Sequence, residues 1–147
     1  MRKHLTTCLL SAGVILLATT GCQEDSDLGP GGALLNTHWR LYQVENFPIT
    51  LSSYSYDSDS YIEFKADNSM SGLATCTGFS GKFTSTPAKQ QLNLGTLNLG
   101  TPTCNSPSVA ARYLAALPNI VRYEVSGGTL RLYNAQDSKP QLIFKAE

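Results

Sequence analysis

Cysteine is the residue type that offers this chain the most chemistry, and the sequence contains four cysteines. A cysteine can form a disulfide, bind a metal as a thiolate or lie buried as a small apolar side chain. Cys76 and Cys104 fall within one stretch, residues 71–104, that is rich in glycine, serine and threonine. Cys8 and Cys22 lie in and just behind an apolar run near the N-terminus. The chemistry of the four cysteines therefore depends on the compartment in which the protein resides.

The N-terminal segment predicts export. Residues 1–4 carry Arg2 and Lys3, and residues 5–18 are mostly apolar. About 20 apolar residues are needed to cross a bilayer, and this run is shorter. A short basic segment followed by a short apolar run is typical of a secretory signal peptide, which we assign to residues 1–21.

The end of that run predicts a lipid anchor. Residues 19–22, Thr-Thr-Gly-Cys, resemble a bacterial lipobox, although Thr19 stands where leucine is usual. We expect Cys22 to be lipidated and residues 22–33, which are polar and rich in Gly and Pro, to form a flexible tether reaching roughly 15–20 Å. The alternative is an ordinary signal peptide with a chance cysteine. Gln23 at the second mature position suggests the outer membrane of a bacterial envelope, on its periplasmic or its surface face.

The two remaining cysteines form an even pair in an oxidising compartment, which predicts a disulfide between Cys76 and Cys104. Two separately buried thiols are the alternative. A zinc site is disfavoured because the mature chain has a single histidine, His38, and no pair of cysteines at C-x-x-C spacing. We therefore predict neither a metal nor a cofactor.

No other constellation predicts catalysis. The sequence lacks a Gly-x-Ser-x-Gly elbow and a His-Glu-x-x-His helix, and a Ser/His/Asp triad would have to use His38. The acidic residues 57–63 lack the glycine and glutamate of a calcium loop, and Gly81-Lys82 lacks the rest of a phosphate loop. We expect a protein that is not an enzyme, with an unrecognised hydrolase as the less favoured alternative.

Composition limits the kinds of partner and the number of domains that can be expected. The whole chain has a formal charge of zero, and loss of residues 1–21 leaves a small acidic excess. A basic patch is missing, which argues against nucleic acid as a partner. Residues 34–147 are enough for one domain with one core, and we expect a monomer.

The elements that position these residues are mostly strands. Alternation predicts strands at 38–45 (with Trp39, Leu41 and Gln43 on one face), 61–65, 70–75, 81–85, 90–94, 97–99, 120–125, 129–133 and 141–145. The repeated pentapeptide Leu-Asn-Leu-Gly-Thr, at 92–96 and 97–101, supplies two of these segments. Gly72 predicts a bulge or a close backbone approach. Gly127-Gly128 predicts a hairpin turn. A helix is predicted to start at Ser106-Pro107, as N-cap and first turn, and to stop at Pro118. Its packed face is predicted to carry Val109, Tyr113, Leu114 and Leu117.

These segments resemble the META domain, also called the HslJ-like domain. The matching residues are 36–41, 71–81, 101–104, 123–125 and 130–132. Thr77 departs from the family, which usually carries asparagine there. The resemblance covers residues 34–147 and implies a mainly β fold of the α+β type: a curved antiparallel sheet or cracked β-barrel with one helix packed across it.

The resemblance implies an envelope protein without an established enzymatic activity, linked with stress response or secretion. The fold is also similar to that of a secretion pilot lipoprotein that holds an acyl chain. We expect either a protein partner or an apolar, acyl-chain ligand, and a structural component of the envelope is the alternative. The candidate binding surface is Tyr54, Tyr56, Gly78, Phe79 and Gly81, although the aromatic residues of this set could instead cover the core.

Overall fold

The structure is a computed structural model that describes residues 34–49, 60–105 and 108–147. Within them the chain forms ten strands and one α-helix, in the order β1 to β7, α1, β8 to β10. The strands are β1 (Trp39–Val44), β2 (Phe47–Pro48), β3 (Tyr61–Phe64), β4 (Ser69–Ala74), β5 (Thr77–Thr86), β6 (Gln91–Leu94), β7 (Asn98–Leu99), β8 (Ile120–Ser126), β9 (Thr129–Asn134) and β10 (Leu142–Ala146). The helix α1 is Ser108–Ala116.

Eight of these strands close into an antiparallel barrel. The order around it is β10-β9-β8-β6-β5-β4-β3-β1, and β1 pairs back with β10 from Trp39–Ala146 to Val44–Leu142. The short strands β2 and β7 pair with β1 and β5 at the margins. Closure leaves few free strand edges to recruit other chains. The predicted mainly β fold, a curved sheet or barrel with one helix across it, is confirmed.

The barrel interior is filled by the inward residues of each strand. In β3, β4 and β6 burial alternates along the strand, as a period of two requires. Trp39 is fully buried near one end, where its indole Nε1–H donates to the Leu34 carbonyl oxygen at 3.0 Å. Leu35 bridges to Phe64 at the same end. The residues that follow the predicted tether therefore enter the domain here.

The helix α1 closes the opposite end of the barrel. Its Tyr113 is fully buried, and the phenol donates to the Tyr61 carbonyl oxygen at 3.1 Å. The Tyr113 ring makes edge-to-face contacts with Phe79 and Phe144. Burial raises the pKa of this phenol well above its ordinary value. The helix ends before Pro118, as predicted, and a 3₁₀ turn that contains Pro118 follows it. The predicted cap Ser106-Pro107 lies outside the described residues.

Two strands differ from their predicted form. In β1 a bulge between Leu41 and Gln43 shifts the register, so that Tyr42 is exposed and Val44, not Gln43, faces the core. The predicted face of this strand was therefore wrong beyond Leu41, because one extra residue resets the alternation. The strand β5 begins at Thr77 instead of Gly81 and runs for 10 residues.

The glycines of β4 and of the β8–β9 turn agree in part with the predictions from the sequence. The pairing of β4 with β3 and β5 is regular at Gly72, so there is no bulge there. Instead a Cβ at Gly72 would overlap the Phe79 ring and the Tyr61 carbonyl oxygen. Gly72 thus marks a close approach, the other predicted alternative. Gly127 and Gly128 both have positive φ, which forms the predicted hairpin turn between β8 and β9.

Candidate functional site

The barrel wall opens between β6 and β8. These strands share one residue pair, Gln91–Arg122, and the Tyr123 N–H donates to the Gln90 carbonyl oxygen at 2.9 Å. Beyond that point β6 follows β5, while β8 starts from the 3₁₀ turn that ends α1. The chain after β6 continues along β5 as β7, pairing Asn98 with Ser80 and Leu99 with Phe79. One side of β7 therefore has no strand partner among the described residues.

This opening forms a concavity, which we call the apolar groove. Its volume is about 530 Å³. Segment 94–99 forms one wall, and the end of α1 with the following turn forms the other. The lining residues are Leu94, Gly95, Thr96, Leu97, Leu99, Leu114 and Pro118. Leu99 is 57% exposed, the highest value among the large apolar side chains of the described residues.

A second concavity lies on the outer face of β4 and β5, and we call it the polar cleft. Its volume is about 570 Å³. It is lined by Lys65, Ser69, Met70, Ser71, Ser80, Gly81, Lys82, Thr96 and Asn98. Thr96 lines both concavities, so the groove and the cleft adjoin along the segment between β6 and β7.

Segment 95–104 is held against β5 along its length. Gly95 N–H donates to the Lys82 carbonyl oxygen, and Gly100 N–H donates to that of Gly78, both at 2.8 Å. A Cβ at Gly81 would lie 2.8 Å from Met70 Cε and 3.0 Å from the Thr96 carbonyl oxygen. The absence of a side chain at Gly81 therefore lets this segment approach β5 and form the boundary of both concavities.

A disulfide fixes the far end of the same segment. It joins Cys76 to Cys104, whose Cα atoms are 5.6 Å apart, as predicted. Thr103 N–H and its hydroxyl both donate to the Cys76 carbonyl oxygen, at 3.1 and 3.3 Å. The bridge closes a loop with a sequence separation of 28 residues. In the chain-entropy model such a loop stabilises the fold by about 3–4 kcal/mol.

The predicted binding-surface residues fall in three different places. Gly81 lines the polar cleft. Gly78 is half-buried beside β7, with open space where a side chain would lie. Phe79 is in the core against Tyr113, so it covers the interior and does not belong to a surface. Tyr54 and Tyr56 lie outside the described residues, as does Cys22.

Sequence reasoning missed the leucines of the groove. Leu94, Leu97 and Leu99 were predicted as ordinary strand residues, and Leu114 as part of the core face of the helix. One feature of the sequence could have identified these leucines. Leu-Asn-Leu-Gly-Thr is repeated without a gap, and the two copies together supply more apolar strand positions than a single wall of the barrel requires.

Several titratable side chains of the described residues form local ion pairs. His38 Nδ1 lies 2.8 Å from Glu63 Oε1, and Arg40 Nε lies 2.7 Å from Glu147 Oε1. No group of three or more His, Cys, Asp or Glu residues in the described part of the chain could hold a metal ion. No helix in that part has the length and apolar character needed to cross a bilayer.

The comparisons with known proteins agree with this fold. A protein from Burkholderia xenovorans solved by NMR has a TM-score of 0.59 at 19% identity, with coverage of 100% of this chain and 99% of the other. A crystal structure of a DUF4847 family protein from Bacteroides vulgatus has a TM-score of 0.51 at 17% identity, covering 77% and 92%. No curated protein matches the chain.

These likenesses establish the fold, since identities this low carry no function. The family assignment comes from the sequence. The model of the META domain family matches residues 32–147, which contain the whole barrel, the helix, the disulfide and both concavities. The chain therefore belongs to the META domain family.

Proposed function

We propose that this protein is a lipid-anchored, non-enzymatic envelope protein that binds an apolar ligand in the groove beside β7. The observation that carries the proposal is the groove itself: four leucines and a proline line an opening of about 530 Å³ in the barrel wall. Ligand sites are concave, mostly apolar and about 300–1,000 Å³ in volume, and they contain few polar groups.

The energetics favour a ligand with an alkyl chain. Leu99 stands exposed at the groove, while Leu97 and Leu114 are half-buried against the core. Each methylene that a ligand buries contributes about 0.8 kcal/mol of transfer free energy. Because β5 and the disulfide hold the wall that carries Leu97 and Leu99, little ordering would be needed on binding.

The proposed anchor agrees with the position of the domain's first described residues. Leu34 and Leu35 lie at the end of the barrel opposite α1. Lipid on Cys22 and the tether of residues 22–33 would hold that end towards the bilayer, on either face of the outer membrane. Replacing Cys22 with serine should release the protein from the membrane fraction, and unchanged membrane association would contradict the anchor.

The proposal that the protein is not an enzyme is supported by the surroundings of its one mature histidine. His38 lies beside Glu63 and Glu147 and stacks on Tyr61, with ring centroids 4.3 Å apart. Among the described residues the hydrogen-bonding and ionic partners of the His38 ring are these two carboxylates, whereas a catalytic histidine would contact a serine or cysteine nucleophile. A panel of ester, peptide and glycoside substrates should give background rates only.

A second candidate function is assembly with an envelope protein. It is favoured by two exposed aromatic residues, Tyr42 and Phe47, on β1 and the margin strand β2. Arg112 lies over the Phe47 ring, 4.6 Å from its centroid. Aromatic residues and arginine are the types that dominate protein interfaces. Crosslinking in cells that gives a stoichiometric partner through this surface would favour assembly over ligand carriage.

The groove is tested by replacing Leu99 with aspartate and measuring binding of a fluorescent fatty acid by the exported domain, residues 23–147. Leu99 is exposed, so the variant should fold, but it places a charge in the groove. Val121→Asp is the matched control, because Val121 is also exposed but lies outside the groove. Binding that is lost in Leu99→Asp and kept in Val121→Asp supports the proposal. Equal binding by both, or no binding by the unaltered protein, contradicts it.

A further inference from the structure

The polar cleft beside the groove has a chemistry that an apolar ligand alone would not use. Lys65 and Lys82 line it together with the outward side chains Ser71, Ser80 and Asn98. On the antiparallel ladder Ser71 pairs with Ser80, and Ser80 pairs with Asn98 of β7. These side chains therefore form one row across three adjacent strands. Both lysines lie in the next row, since Lys82 pairs with Ser69 and the Lys65 N–H donates to the Ser69 carbonyl oxygen.

Neither Lys65 nor Lys82 has an ion pair or a side-chain hydrogen bond among the described residues. Within the described residues two carboxylates lie near this row, and each already has another partner. Glu63, opposite Ser71 on β3, lies 2.8 Å from His38.

The second carboxylate is Asp67, which accepts hydrogen bonds from the Ser69 hydroxyl and the Ser69 N–H. The pKa of Asp67 is lowered mainly by these two bonds, with a smaller contribution from Lys82. The lysine ammonium groups and the free hydroxyl and amide groups consequently remain available to an anion.

The cleft and the groove are in contact through one segment. Leu97 and Leu99 line the groove, Asn98 lines the cleft, and Thr96 lines both. The residues alternate in this way because successive side chains of an extended chain point to opposite sides. A ligand that crosses the segment at Thr96 would place an alkyl chain on the leucine side and a polar group on the lysine side.

We propose that the groove and the cleft together bind one amphiphile, an anionic phospholipid with a single acyl chain. The inference rests on the proposed function, because the acyl chain would occupy the apolar groove. A phosphate head group is favoured over a carboxylate because the cleft offers two ammonium groups and at least three neutral hydrogen-bonding side chains, which suits a group with several acceptor oxygens.

The position of the cleft agrees with a ligand drawn from the membrane. Lys65 directly follows Phe64, whose carbonyl oxygen accepts the Asn36 N–H at 2.7 Å, so it lies at the end of the barrel where the chain enters the domain. This is the end that the proposed anchor on Cys22 would hold near the bilayer. A lysophospholipid leaving that bilayer would meet the lysine side first.

The test measures binding of three probes with the same oleoyl chain to the exported domain, residues 23–147. The probes are oleoyl-lysophosphatidylglycerol (anionic), oleoyl-lysophosphatidylcholine (zwitterionic) and monoolein (neutral), each below the concentration at which it forms micelles. The variant carries Lys65→Gln and Lys82→Gln, and the control carries Lys89→Gln and Lys139→Gln, which makes the same change of charge outside the cleft. All four lysines are exposed, so these proteins should fold.

We expect the anionic probe to bind most tightly and to lose about five- to tenfold in affinity in the cleft variant, the effect of two exposed charge contacts. The control should bind as the unaltered protein does, and monoolein should not distinguish the variants. Equal binding of the three probes by every variant would overturn this inference and leave the proposed apolar site intact. So would an equal loss in the control, which indicates unspecific attraction. Failure of all three probes to bind would overturn both proposals.

Discussion

The two copies of Leu-Asn-Leu-Gly-Thr have the same sequence and different environments. In the first copy, residues 92–96, Leu92 and Leu94 are buried in the barrel. In the second, residues 97–101, Leu97 is half-buried and Leu99 is 57% exposed. Both copies pair with β5, one after the other along its length. What differs is the side away from β5: there β6 pairs with β8 at Gln91–Arg122, whereas β7 has no strand on that side in the described part of the chain.

The difference shows how an opening can be built without weakening the barrel as a whole. The first copy completes the wall and contributes to the core. The second copy pairs with β5 on one side and with no strand on the other among the described residues, so its leucines line the apolar groove. Backbone hydrogen bonds at Gly95 and Gly100 and the disulfide at Cys104 hold the second copy in place without a second neighbouring strand.

The largest effect is expected at the first copy. Leu92→Ala should lower the free energy of unfolding by about 2–5 kcal/mol, because it removes a buried side chain and leaves a cavity. Urea denaturation followed by tryptophan fluorescence measures this change, as Trp39 is in the core. A loss under 1 kcal/mol would mean that the first copy is no better packed than the second.

The disulfide should matter almost as much. Replacing Cys76 and Cys104 together with alanine should lower the free energy of unfolding by about 3–4 kcal/mol in the chain-entropy model. The second copy should also lose its fixed position, so binding in the groove should weaken. Urea denaturation and fluorescent fatty-acid binding test the two effects, and an unchanged denaturation midpoint would refute the first.

A smaller effect is expected at Gly81, where the junction of the two copies packs against β5. Gly81→Ala should destabilise the protein by about 1–2 kcal/mol, because the added methyl presses on the Thr96 carbonyl oxygen and on Met70. Gly78→Ala is the matched control in the same strand, since nothing lies within 4 Å of its added methyl. Equal denaturation midpoints for the two variants would show that the segment can move away at little cost.

The smallest effect on stability is expected at the second copy. Leu99→Ala should change the free energy of unfolding by less than about 0.5 kcal/mol, as is usual for an exposed position. The same substitution should weaken binding of an alkyl ligand, because it removes part of the groove. A loss of stability comparable to that of Leu92→Ala would show that the two copies are equivalent.

Much of the fold could be predicted from local sequence patterns. The strands β3, β4, β9 and β10, the glycine turn at 127–128 and the stop at Pro118 each depend on neighbouring residues, and each was predicted. The bulge at Tyr42 was missed because it is set by the pairing of β1 with β10, which is distant in sequence. The first half of β5 was missed because its glycines and threonines show no apolar alternation, and only pairing with β4 makes it a strand.

The candidate site could be predicted only in part. Gly81 was named from the cysteine-containing stretch and does line a concavity. Phe79 was named from its type and proved to be buried, because β5 turns it towards Tyr113. The lysines of the polar cleft gave no signal, since Lys65 in the β3–β4 connection and Lys82 in β5 are distant in sequence and come together only through the pairing of β4 with β5.

By itself the sequence determined the family, the mainly β class, the pairing of the only two cysteines expected in the mature chain, and the expectation of a lipid anchor at Cys22. Resemblance to known motifs supplied the family and the anchor, while local periodicity and cysteine count supplied the class and the pairing. Only the tertiary structure decided which leucines are core and which form a groove, because two identical pentapeptides have identical propensities. Their burial depends on whether a strand from another part of the chain lies beside them.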